Sequence, residues 1–326
     1  MLRRSLPILV SLALGLTACT TAAAPQASDS LTRVRLPLGY VPNIQFAPLY
    51  VATEKKYFAE AGLEVEFDYS FETEAVSLVG ANKLSFAVVS GEQVLLARAQ
   101  GLPVVYVCAW YQKYPVGVAS KVQEGIRVPA DLKGKKIGLP GLFGANYIGL
   151  DALLFSAGLS EKDVTLDSIG FNQVAALAAD RADAVSIYVA NEPVQLNAEG
   201  FELNEIRVAD YVDLASNGII TNETTLDQNP ELVRSLIRAF LRGLADTIAS
   251  PEAAYDISLK YVGELAEADR TTQMQVLLRS IELWRTQVPG RTDPQAWENM
   301  QSTLLQMGLL KAPLDLSRAF TNAFID

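Results

Sequence analysis

Residues 33–71, RVRLPLGYVPNIQFAPLYVATEKKYFAEAGLEVEFDYSF, decide the fold. Val34, Leu36 and Leu38 make an apolar run that suits a buried strand, and Pro42-Asn43 breaks it. The chain resumes as a helix with Ala47, Tyr50, Val51 and Phe58 on one side, and Gly62 ends it. Leu63 to Phe67 then alternate apolar and polar as a second strand. Strand, loop, helix and parallel strand make one unit, whose first loop opens at the carboxyl edge of the sheet, where ligands bind in open α/β folds. Asn43, Phe46 and Tyr50 are therefore candidate ligand contacts, although Phe46 and Tyr50 suit a core equally well.

The order PNIQFAPLYVATEKKYFAEAGLEVEF at residues 42–67 resembles the opening of bacterial solute-binding proteins of ABC importers for thiamine pyrimidine precursors, riboflavin and sulfonates. The resemblance extends over nearly the whole chain beyond its leader and is nearest to the riboflavin-binding branch. It implies a two-lobe, periplasmic-binding-protein-like clamshell of class α/β, each lobe a mostly parallel sheet covered by helices. It also implies an ABC permease as partner, and that the turn at residues 141–146 lines the cleft.

The remaining pattern reads the same way. Residues 84–89 form a strand that runs into Ser90-Gly91-Glu92, a helix over 93–100 stops at Gly101, and the strand containing Cys108 leads to Trp110 and Tyr114. Residues 116–119 leave this first lobe as a strand. A second alternating series begins at Asp131, with strands over 135–139, 164–169 and 184–189 and helices over 146–157 and 173–179. Glu192-Pro193 opens a further helix, with proline in its first turn. Residues 217–222 return as a strand, and the rest is helical, with starts at Pro230, Pro251, Asp269 and Asp293-Pro294. Two crossings between lobes give a hinged molecule: residues 32–118 with 221–326 as lobe one, and 119–220 as lobe two.

Ahead of this lies a targeting segment. Arg3 and Arg4 precede an apolar run over 6–16, and Leu16-Thr17-Ala18-Cys19 matches the box at which bacterial lipoproteins are cut and acylated on cysteine. Residues 1–18 are thus expected to be removed, Cys19 to carry acyl chains that anchor the protein on the outer face of the cell membrane, and 19–31 to be a flexible tether. Lys+Arg number 27 against 37 Asp+Glu, a formal charge of -10 that argues against nucleic acid as a partner. Only Cys108 remains beyond Cys19, so no disulfide framework is expected, and a monomer is the default for such a clamp.

Histidine is absent, which removes the commonest general base near neutral pH and the commonest metal ligand. It also excludes the histidine-consuming synthesis of the thiamine pyrimidine by a fungal branch that resembles this family. No catalytic residue, metal or cofactor is expected. Aromatic residues instead gather near strand ends, and flat walls with a few polar handles suit a planar, hydrogen-bonding heterocycle. The expected contacts from lobe one are Asn43, Phe46, Tyr50, Phe71, Ser90, Glu92, Trp110 and Tyr114; from lobe two, Phe143, Gly144, Asn146, Tyr188 and Glu192; and Asn217 at the return strand. Trp110 with Phe143 or Tyr188 would sandwich the ring, and the polar residues would serve its edge. Riboflavin is the expected ligand, with a thiamine pyrimidine precursor and then an alkanesulfonate as alternatives, the last weakened by how little positive charge the loops offer beyond Lys113.

Overall fold

The computed structural model describes residues 31–325, so the leader, Cys19 and nearly all of the tether lie outside the described residues. Among the described residues ten strands appear in chain order: β1 (Thr32–Pro37), β2 (Leu63–Asp68), β3 (Ala87–Val89), β4 (Val104–Ala109), β5 (Val116–Lys121), β6 (Lys136–Leu139), β7 (Thr165–Ser168), β8 (Ala184–Tyr188), β9 (Leu203–Arg207) and β10 (Gly218–Asn222). β1 and β2 pair in parallel, Thr32 opposite Leu63 and Pro37 opposite Asp68, as the opening stretch predicts. Their connection differs from the expected single helix. Lys56 takes a left-handed conformation (φ 62°) that ends Ala47–Glu54 and starts a separate turn, Tyr57–Glu60. The bend is held from outside: Lys55 Nζ lies 2.6 Å from Asp246 Oδ2, and the Tyr57 hydroxyl donates to the same oxygen.

β3, β10 and β4 form a second group in that order, and β1 packs beside β3. The other five strands run β7-β6-β8-β5-β9. Helices Gly144–Ser156, Gln173–Ala178 and Glu192–Ala198 connect β6, β7, β8 and β9, and such crossovers let successive strands run parallel. Each group also holds one strand that opposes its neighbours: β5, which leaves the first group, and β10, which returns to it. All of β5 lies in the five-stranded sheet and all of β10 in the other. The expected boundaries at 118 and 220 fall inside β5 and β10, and the chain passes between the two sheets over residues 110–115 and 208–217. β9 escapes sequence reading because only Ile206 of LNEIR is buried, as suits an edge strand with one shallow apolar contact.

The C-terminal helices fix these sheets to one another. Helix Pro230–Ala249 packs along Ala47–Glu54 and buries Val233, Leu236, Ile237, Phe240 and Leu244. Trp297, fully buried on helix Pro294–Gln306, stacks on Phe320 at 5.1 Å and meets Tyr106 edge-on at 5.1 Å. One apolar cluster takes Tyr106 and Trp297 together with Tyr114, Val116, Leu139 and Leu214, so the crossings run over a packed floor that closes the back of the space between the sheets.

Candidate functional site

Carboxyl ends of strands from both groups converge on one cleft, with about 900 Å³ of unfilled space including its mouth. Gly39 and Tyr40 follow β1, Phe71 and Glu72 follow β2, Gln93 follows β3, and Trp110 and Tyr111 follow β4. Across from them stand Phe143 and Asn146 after β6, Phe171 and Gln173 after β7, and Tyr188, Asn191 and Glu192 at the end of β8. Asn217 enters from the returning crossing. The accessible rings are Phe71, Phe143 and Phe171, which are 54%, 48% and 41% exposed. Phe71 meets Phe143 edge-on at 6.1 Å and lies nearly parallel to Phe171 at 6.2 Å, while Tyr40 meets Phe171 edge-on at 4.8 Å. Aromatic edges and faces from opposite walls thus touch at the mouth.

Beneath the rings runs a hydrogen-bonded chain. The Tyr188 hydroxyl lies 3.3 Å from Asn217 Oδ1, and Asn217 Nδ2 donates to Glu72 Oε1 at 3.3 Å. Glu72 Oε2 accepts from Ser90 N at 3.0 Å and Ser90 Oγ at 2.6 Å, and the same hydroxyl contacts Glu92 Oε1. Gly39 makes room for this arrangement, since a Cβ there would sit 2.6 Å from Glu72 Cγ. On the other wall Glu192 accepts from Tyr188 N at 2.8 Å and Asn191 Nδ2 at 3.1 Å. Burial pushes Glu192 up to about 7 and, with the charge of Glu72 added, Glu92 up to about 8. Glu72 is raised by burial as well, against the pull of its two bonds from Ser90. Among the described residues no Lys or Arg lines the cleft, and no group of three acidic or cysteine side chains could hold a metal.

Residues 43–254 match the NMT1/THI5 like family. The chain belongs to that family. It is 44% identical to the riboflavin-binding protein RibY of Chloroflexus aurantiacus over 94% of this chain and 90% of that one. It is 28% identical to a formylaminopyrimidine-binding protein of Halalkalibacterium halodurans, over 94% of each. In fold it is similar to the alkanesulfonate-binding protein SsuA of Xanthomonas axonopodis pv. citri, solved with MOPS bound: the TM-score is 0.71 at 16% identity, over 90% of this chain and 99% of that one. The likeness confirms the periplasmic-binding-protein fold that the sequence leads one to expect.

In this NMT1/THI5-like chain the cleft brings together Phe46, Phe71, Trp110, Phe143, Gly144, Asn146, Tyr188, Glu192 and Asn217 of the expected contacts. The other five do not line it. Asn43 caps the turn that follows, accepting from Gln45 N at 2.9 Å. Tyr50 is buried in a stack on Tyr261 at 4.4 Å, its hydroxyl 3.1 Å from that of Tyr69. Tyr114 is buried and donates to Ala145 O at 3.1 Å. Ser90 and Glu92 are fully buried behind Glu72. Trp110 is 1% exposed and wedged among Phe46, Tyr111, Phe240 and Trp284, so it forms floor, and Phe71 and Phe171 are the free-standing rings beside Phe143. Sequence reasoning missed Phe171, Glu72, Gln93, Gln173 and Asn191 as contacts. The signal that found Glu92 and Glu192, a polar residue in the first helical turn after a strand, applies equally to Glu72 and Gln173.

Proposed function

We propose that this chain is the solute-binding component of an ABC importer, held outside the cytoplasm by acyl chains on Cys19. It captures riboflavin in the cleft and passes it unchanged to a permease. The observation that carries the reading is the cleft itself: accessible phenyl rings on both walls, hydrogen-bonding groups below them, and no cationic side chain in the lining. A sulfonate needs concentrated donors and favours a basic partner, whereas Glu72 and Glu192 repel an anion and accept bonds from ring N–H or ribityl hydroxyl groups. Among flat heterocycles, similarity over 94% of the chain to a protein named as riboflavin-binding supports a flavin. Ligand contacts to both sheets favour the closed arrangement, and a monomer that closes about the crossings would present the closed form to its permease.

A pyrimidine precursor is the second reading, supported by the similarity to a formylaminopyrimidine-binding protein. Flavin emission falls close to Trp or Tyr, and Tyr40, Trp110, Tyr111 and Tyr188 line the cleft, so titration with riboflavin, followed by competition with formylaminopyrimidine and taurine, separates the ligands. Riboflavin is expected to be quenched saturably and recovered chemically unchanged, with little competition from the others. Phe143→Ala is expected to weaken it by about ten-fold, the scale of a buried aromatic contact. Saturable binding of the pyrimidine without flavin quenching would replace the ligand, and a chemically altered flavin would replace the binder with a catalyst.

A further inference from the structure

A hydroxyl has one hydrogen to donate. Ser90 Oγ is hydrogen-bonded to Glu72 Oε2 at 2.6 Å and also to Glu92 Oε1. Two ionised carboxylates cannot both be served by that hydrogen, so one of the two carboxyls carries a proton of its own and donates it to Ser90. Surroundings decide which. Glu72 receives three donors, Ser90 N, Ser90 Oγ and Asn217 Nδ2, and its residue opens on the cleft. Glu92 is fully buried, its Oε2 has no partner, and beyond its own backbone N–H it is reached by Gln93 Nε2 only at 3.4 Å. Deep burial with weak donors favours the neutral acid, and several good donors favour the anion.

We propose that Glu72 is the ligand-reading acceptor of the cleft, kept ionised because Glu92 holds the one proton that the pair shares through Ser90. This rests on the cleft being the ligand site and adds what that site selects: a heterocycle that presents an N–H or O–H donor to its floor. Burial raises Glu92 to about 8, in the direction the proton count requires. The other titratable groups that face the pair are the hydroxyls of Tyr114 and Tyr188, both held neutral by burial and by the two carboxyls, while Glu192 stands on the opposite wall. No cation compensates the pair from the lining. In acid, Glu72 gains a proton and stops accepting; in alkali, Glu92 loses its proton and two adjacent anions compete for one hydroxyl hydrogen. Affinity therefore peaks in between.

The test uses the full chain in two measurements. Riboflavin Kd, read by quenching from pH 5 to 10, is expected to rise about ten-fold or more at pH 7 in Glu72→Gln. Glu92→Ala is expected to weaken binding, and Glu92→Gln, whose amide still donates to Ser90 and cannot ionise, to restore it and remove the alkaline limb. Circular dichroism confirms that each variant folds. Separately, carboxyl carbon NMR of the ligand-free chain labelled at glutamate is expected to show, besides Glu192 titrating near 7, one carboxyl that keeps its proton to higher pH and is lost from the spectrum in Glu92→Gln. Wild-type affinity in Glu72→Gln, or an alkaline limb that persists in Glu92→Gln, overturns the proposal. So does a spectrum in which no carboxyl that titrates above Glu192 disappears in Glu92→Gln. If the wild type binds no riboflavin, the flavin reading falls, and the carboxyl titration still confirms or overturns the shared proton.

Discussion

Trp110→Ala is expected to lower the unfolding free energy by about 3–5 kcal/mol, the usual cost of truncating a buried large aromatic, and to abolish riboflavin quenching. The indole lies 5.2 Å from Phe240, 5.8 Å from Trp284 and 5.9 Å from both Phe46 and Tyr111, so its removal leaves a cavity that rigid neighbours on four different segments cannot fill. The backbone is committed as well: Trp110 N and Tyr111 N both donate to Asn217 O at 3.1 Å, which ties the outgoing crossing to the returning one. Loosening of this floor reaches Asn217, whose side chain links Tyr188 to Glu72 across the cleft. Trp110→Phe keeps most of the ring contacts and removes an indole N–H that is buried without a partner, so its cost is expected to be less than half as large. Urea unfolding followed by far-UV circular dichroism measures both. Equal stability of Trp110→Ala and wild type would mean that the ring is not part of the packed floor.

The fold was legible where local pattern and tertiary role agree. Val34 and Leu36 are buried because β1 packs beside β3, Leu38 is buried just past its end, and Leu63 opposite Thr32 fixes the parallel unit as the alternation suggests. Pattern fails where a distant partner sets the backbone: nothing near Lys56 announces a left-handed residue, because the groups that hold the bend converge on Asp246. The cleft shows the same division. Strand-end position locates Phe71, Trp110, Phe143 and Tyr188, yet it cannot give side-chain direction, so Tyr50 and Tyr114, placed by the same rule, turn into the core. Asn43 looks like a ligand contact because a capping asparagine and a binding asparagine have one sequence signature. Glu72 carries the same first-turn signal as Glu92 and Glu192 and was passed over, and its surroundings appear only when the folded chain places Gly39, Ser90 and Asn217 around it.

Stability of the ligand-free chain is expected to be greatest near pH 5 and to fall steadily toward pH 9, against the common pattern of acid-sensitive carboxylates. The sign follows from proton counts. Glu92 sits at about 8 in the folded chain against an ordinary 4.5, and Glu192 at about 7 against the same value. Between the ordinary and the folded values the native chain binds more protons than the unfolded one, so unfolding free energy falls with rising pH. Their contribution is present in full below about pH 4.5 and lost as pH rises through 7 and 8. Each fully buried acid contributes a slope approaching about 1.4 kcal/mol per pH unit in its window. Asp131, Asp163, Asp269 and Asp315 are shifted down by capping bonds and act in the opposite sense, but only in more acid solution and at exposed positions where such effects are small. Glu92→Gln removes the largest of the alkaline losses: thermal midpoints of variant and wild type should nearly coincide at pH 5 and separate by several degrees in favour of the variant at pH 8.5. Midpoints of the wild type that stay level from pH 5 to 9 would show that neither buried acid keeps its proton on folding. A variant less stable than wild type at pH 8.5 would show that Glu92 is stabilising as an anion.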